Sequence, residues 1–187
     1  MAEARLYARS AFLAFLLIAF TATVGQAQTQ AETLRVRPLV KDGQVLVTFA
    51  LDGGLTDEMK AVVQSGLKTV FTYTVTLKMK VPAWVDRTVA TAVVSTSVDY
   101  DNLTRRHTVS TSRNGRVEQS FVVEDPAEVA RMVTQFDRLA LFDTRTLEPN
   151  RDYYLLVSAD ARPKPTSSLW PWSGAASGSA RFTFIPN

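Results

Sequence analysis

Along most of the chain, apolar and polar residues trade places at every second position, the spacing that sends alternate side chains to opposite faces of a β-strand. The cleanest run sets Phe71, Tyr73, Val75, Leu77, Met79 and Val81 against Thr72, Thr74, Thr76, Lys78 and Lys80. A strand with one buried and one wet face belongs to an antiparallel sheet. Looser alternation marks Val45-Val47-Phe49-Leu51, Ala90-Ala92-Val94-Val98-Tyr100, Val117-Gln119-Phe121-Val123 and Ala180-Phe182-Phe184. Asn114-Gly115 predicts a two-residue hairpin, because both residues tolerate the positive φ of a tight turn, and Asp101-Asn102 predicts a weaker one. Residues 88–123 are therefore expected to form a three-stranded meander. Leu34–Leu39 adds an edge strand, where Pro38 has no amide to offer a further neighbour.

Two short helices interrupt the strands. In the first, Thr56 is placed to cap, Asp57 and Glu58 stand in the electropositive first turn, Met59, Val62 and Val63 share a face, and Gly66 follows the end. The second opens with Asp125-Pro126-Ala127-Glu128, a capping aspartate, a proline at the first helical position and a glutamate three residues after the cap. Val129, Met132, Val133 and Phe136 then recur at helical spacing. Both stripes read as core. The stretch from Arg162 to Ser179, rich in Pro, Gly and Ser, reads as a long loop between the last two strands.

The segment from Leu147 to Ala159 joins a turn, a tyrosine and an alternating strand at fixed offsets. It resembles the tyrosine corner of immunoglobulin and fibronectin type III sandwiches, in which the phenol bonds back to upstream backbone. Tyr153 holds the corner position, with Leu147, Pro149, Leu155, Val157 and Ala159 where that pattern wants its apolar and turn residues. The fold class expected is all-β: an antiparallel, immunoglobulin/fibronectin III-like β-sandwich with two short helices.

The N-terminus changes the picture of where such a domain works. Arg5 and Arg9 precede an apolar run of 14 residues from Ala11 to Val24, followed by Gly25-Gln26-Ala27. Basic, apolar and small-residue regions in that order predict a signal peptide over residues 1–27, cleaved after Ala27, with a single sandwich domain over 28–187. A run this short falls below the roughly 20 residues a spanning helix needs; a retained N-terminal anchor is the alternative. The chain has no cysteine, so a lipidated new N-terminus, disulfides, thiol catalysis and thiolate metal sites are excluded. Net charge is +3 over the whole chain, too small an excess to argue for nucleic acid.

Candidate chemistry is sparse. His107 is the only histidine and, lying in a strand-like run, reads as an ordinary surface residue. No nucleophile elbow, phosphate loop or dinucleotide fingerprint is present. Asp99 and Asp101 are the closest carboxylate pair, and Asp99-Tyr100-Asp101-Asn102 offers oxygens to a hard cation, but a turn explains both. No catalytic residue, metal or cofactor is expected. Arg105, Arg106, Arg113 and Arg116 flank the Asn114-Gly115 hairpin and are candidates for an anionic contact such as a lipid headgroup or polysaccharide, against the plainer reading of a solvated hairpin. Leu169, Trp170 and Trp172 are the candidate contact tip of the last loop, since exposed tryptophans favour interfaces; the competing reading folds both indoles back over the sandwich end. Trp84 reads as core or turn packing.

With these residues in view, the chain resembles a family of exported bacterial proteins described as domain of unknown function 4390. The resemblance rests on Leu67–Lys78, Trp84-Val85-Asp86-Arg87, Tyr100-Asp101-Asn102-Leu103-Thr104, Leu147–Tyr154 and Phe182-Thr183-Phe184-Ile185-Pro186. It implies an exported all-β domain and assigns no site residue. The expected role is a non-catalytic interaction or adaptor module of the bacterial envelope, in the periplasm or secreted, whose partner is an envelope protein or a membrane surface. A carrier of a small apolar ligand or lipid is the alternative, and a carboxylate-based hydrolase a third reading.

Overall fold

The computed structural model describes residues 34–53, 55–163 and 176–186, all within the compact unit Glu32–Asn187. In chain order the elements are β1 (Leu34–Lys41), β2 (Gln44–Leu51), α1 (Asp57–Gln64), β3 (Thr69–Met79), β4 (Arg87–Asp101), β5 (Arg106–Arg113), β6 (Arg116–Val123), α2 (Pro126–Thr134), β7 (Gln135–Asp143), a 3₁₀ turn (Thr144–Thr146), β8 (Arg151–Pro163) and β9 (Ser177–Phe184). They make two antiparallel sheets, a three-stranded one ordered β1-β2-β7 and a six-stranded one ordered β6-β5-β4-β3-β8-β9. The protein is an all-β sandwich with two short helices.

The alternation read from the sequence places the core. Phe71, Tyr73, Val75, Leu77 and Met79 of β3 are all buried, as are Val45, Val47, Phe49 and Leu51 of β2. Phe49, Tyr73 and Phe136 meet between the sheets, with centroid distances of 5.1 Å, 4.6 Å and 5.0 Å around the triangle. The Tyr73 hydroxyl is satisfied by donating to the Val133 carbonyl at 2.5 Å, so the last turn of α2 is tied to the centre of the larger sheet.

A six-stranded sheet facing a three-stranded one leaves apolar surface uncovered, and the helices supply the cover. α2 packs on β4, β5, β6 and β7, and α1 on β4. At 8 and 9 residues neither would hold alone, so tertiary burial of Val63, Val129 and Val133 stabilises them, by about 2 kcal/mol per side chain. The caps are as expected: Thr56 accepts from the Met59 amide at 3.3 Å and Asp125 from the Ala127 amide at 2.8 Å. Gly66 takes the left-handed φ of 80° past the end of α1.

Three expectations are corrected. The helical stripe stops at Thr134, and Phe136 belongs to β7, a strand that period-2 reading does not find. Register shifts against β2 bring Phe136, Leu139 and Phe142 opposite Phe49, Val47 and Val45, so the core residues of β7 fall three apart and imitate a helix. A register shift also breaks the expected face of β6: Gln119 opposes Thr111 and Val117 opposes Ser112. The extra residue, Glu118, turns Val117 away from the face that Phe121 and Val123 share, and of these three valine and phenylalanine side chains only Val123 is buried. Finally, the last loop is shorter than read, since β8 runs to Pro163 and β9 starts at Ser177.

The corner at Tyr153 forms as expected. Its ring is buried at 1% exposure, its oxygen accepts the Glu148 amide at 2.7 Å and its hydroxyl points back to the Glu148 carbonyl at 3.4 Å. Across the sandwich, β1 and β9 approach so closely that a Cβ built on Gly178 would stand 1.9 Å from the Leu34 carbonyl oxygen. Only glycine fits that seam.

Candidate functional site

The β3–β4 connection carries the most exposed aromatic group among the described residues. Trp84 is 81% and Val85 79% exposed, which corrects the reading of Trp84 as packing. The alternation ends at Val81, and the residue that turns inward is Asp86. Its Oδ1 accepts the Val81 amide at 3.2 Å and its Oδ2 the Tyr154 hydroxyl at 3.0 Å. Burial first, and the Asp86 hydrogen bond second, raise the Tyr154 pKa above the ordinary phenol value, so the phenol stays a donor. The Trp84 amide closes the turn on the Val81 carbonyl at 3.2 Å, and Lys80 is pinned to the Asp152 carbonyl at 2.9 Å. Ala83 adopts a left-handed φ of 59°, an unusual conformation for alanine that these bonds hold. The turn is thus built to present an indole and a valine outward.

Around it lie charges of both signs. Glu148 accepts from Arg87 at 2.8 Å and pairs with Arg151 at 3.5 Å. Strand pairing brings Met79 opposite both Arg87 and Tyr153, and Arg151 opposite Phe184. Exposed Ile185 therefore leaves the sheet at the same end as Trp84. The sequence signal was present: Pro82-Ala83 breaks the strand, and no apolar partner element follows Trp84-Val85 before Arg87.

The four candidate arginines are not brought together. Arg106 and Arg113 stand at the two ends of the 8-residue β5, about 24 Å apart at strand rise. Arg105 sits beside the first in the β4–β5 turn with a φ of 56°, and Arg116 opposes Arg113 across the hairpin. Arg106 pairs with Glu124 at 2.8 Å and Arg113 with Glu118 at 3.0 Å. Arg113 also donates to the Ala140 carbonyl at 2.6 Å, bracing one sheet against the other.

His107 is buried, at 4% exposure, which corrects the surface reading. It opposes Tyr100 and Val123 and lies two residues before buried Val109; that parity is the signal that places it inside. Asp101 organises the adjacent turn, its carboxylate accepting from the Leu103 amide at 2.8 Å and the Thr104 amide at 3.2 Å. Those two amides, Leu103 first, hold its pKa below the ordinary aspartate value. Among the described residues no three His, Cys, Asp or Glu side chains gather to hold a metal ion. An open groove of about 520 Å³ lies between β2, β7 and α2, with Phe49, Met132 and Phe136 along it and Glu128, Arg131 and Asp137 among its charged lining residues. Leu169, Trp170 and Trp172, like residues 1–27, lie outside the described residues.

Two antiparallel sheets closed over one aromatic core, with a braced apolar turn at one end, define a β-sandwich domain; no helix among the described residues is long and apolar enough to cross a membrane. The chain belongs to the family described as Domain of unknown function (DUF4390), which matches residues 26–165. Trp84, His107 and Tyr153 fall inside the match, and Trp170, Trp172 and β9 beyond it. No curated protein and no solved structure matches the chain.

Proposed function

We propose that this protein is an exported, non-catalytic interaction module of the bacterial envelope that docks a partner protein through the Trp84–Val85 turn. The observation that carries the reading is an indole held 81% exposed on a turn whose backbone is fixed by Asp86. Preorganisation keeps the ordering cost of binding low, and tryptophan is the side chain that contributes most at contact centres. The surrounding Arg87–Glu148–Arg151 network mixes both charge signs, which suits a polar interface rim better than an anionic lipid surface. Export is supported by the basic, apolar and small-residue order of residues 5–27. The carrier reading draws less support, because the groove beside α2 has Glu128, Arg131 and Asp137 among its lining.

A photo-crosslinking residue at Val85, used in living cells, is expected to trap a discrete protein that is lost when Trp84→Ala is added. Vesicles of phosphatidylethanolamine and phosphatidylglycerol are expected to float without the protein. Retention of every crosslinked partner by Trp84→Ala, or vesicle binding that depends on Trp84, would overturn the docking assignment. A processed N-terminus at Gln28 in the recovered protein is the check on export.

A further inference from the structure

An open sheet ends in two edge strands, whose unpaired amides and carbonyls invite a further strand unless something covers them. Among the described residues three of the four edges are covered. β1 and β9 lie against each other, with Gly178 close on the Leu34 carbonyl, and β7 gives its Ala140 carbonyl to Arg113 of β5. The fourth edge, β6, has no strand beyond it. Seven of its eight residues are exposed, Val117, Phe121 and Val122 among them. We infer that β6 pairs antiparallel with β6 of a second copy of the chain, joining the two six-stranded sheets across a two-fold axis at Phe121.

Only an extended segment satisfies a row of unpaired strand donors and acceptors, so the occupant of this edge is a strand. The residues of β6 fit its own copy. The extra residue Glu118 interrupts regular pairing, so the regular part of the strand runs from Gln119 to Val123 and has Phe121 at its midpoint. In an antiparallel pair, residues that face each other share one hydrogen-bonding role, so a two-fold axis passes through a residue and not between two. With the axis at Phe121, the two phenylalanines meet, Ser120 faces Val122, and Gln119 faces Val123. Glu118 and Glu124 then fall outside the ladder. Each is already paired within its own chain, to Arg113 at 3.0 Å and to Arg106 at 2.8 Å. Moving the axis one residue either way would set Glu118 against Val122 or Glu124 against Ser120. Apolar contact at the centre and charge at the ends thus select a single register.

A ladder this short buries far less than the roughly 800 Å² per partner of a stable complex, so the dimer is expected to be reversible. The Trp84 turn takes no part in it, and the inference stands or falls apart from the docking reading.

Sedimentation velocity of the full-length protein over a concentration series is expected to show a monomer–dimer equilibrium. Phe121→Lys sets two like charges face to face at an exposed position and is expected to weaken the dimer about tenfold. The chain has no cysteine, so one introduced thiol reports the register. In Ser120→Cys the twin thiols stand on a diagonal of about 8 Å, and a short bismaleimide is expected to join them. In Val117→Cys they stand about 25 Å apart at strand rise and are expected to stay separate. This second arm holds whether or not Phe121→Lys folds. A monomer at every concentration, or a dimer that folded Phe121→Lys leaves intact, overturns the inference. So does equal crosslinking of the two cysteine variants, or coupling of Ser120→Cys in living cells to a foreign protein alone.

Discussion

At the residue scale, single polar atoms decide where the turns hold. The Tyr153 oxygen is the partner of the Glu148 amide, so Tyr153→Phe leaves that amide unpaired at the sandwich corner. The expected cost is about 1–2 kcal/mol, read as a lower urea midpoint with unchanged slope. Asp101 gives a prediction with a sign. Its pKa is lowered in the folded chain, so its contribution is complete above the ordinary aspartate value and is lost as pH falls through the lower folded value. Amide exchange at Leu103 and Thr104, corrected for intrinsic rates, is expected to lose protection in that acid window and nowhere between there and neutrality; Asp101→Asn should remove the dependence. Residue-level legibility was uneven for a physical reason. Tyr153 and the caps Thr56 and Asp125 act on backbone within a few positions, and local offsets reveal them. His107 and Trp84 are placed by what stands opposite them, Tyr100 and Val123 for the first and nothing for the second, and opposition is a property of the fold.

At the element scale, unbroken alternation made β2 and β3 readable, while register shifts hid β7 and misassigned a face of β6. β2 and β3 keep strict parity, while β7 shifts register twice against β2 and Arg138 takes a left-handed φ of 48° within it. Its Phe136, Leu139 and Phe142 thus carry a helical spacing on an extended backbone, and β6 loses its expected face to one extra residue at Glu118. The β1–β9 seam has a sharper sequence dependence than any of these. Gly178→Ala places a methyl group where the Leu34 backbone stands, and backbone cannot rotate aside as a long side chain can. A loss of about 3 kcal/mol is expected, visible as a lower thermal midpoint and as faster amide exchange in β1 than in β3.

At the scale of the whole molecule, sheet membership was the part that composition and periodicity left open, because alternation says that a face is buried without saying against what. The answer lies in the connections. The chain passes from one sheet to the other through α1, through α2, and through the 3₁₀ turn with its tyrosine corner, and the Phe49–Tyr73–Phe136 triangle draws on both sheets. The Trp84 turn follows the end of β3 and buried His107 lies near its start, separated by a strand of 11 residues, about 34 Å.

The pairing of β2 with β7 also sets a clock. Thr48 meets the Arg138 amide at 3.0 Å across 90 residues of chain, and loop closure over such a span has to precede any reward from the contact. During synthesis the β1–β2 hairpin emerges early and waits, the far edge of β2 unpaired, until five further strands, β7 the last of them, and both helices have left the ribosome. Acquisition of the native state is therefore slow and late, and a nascent chain of this kind is one that holding chaperones would shelter before it matures.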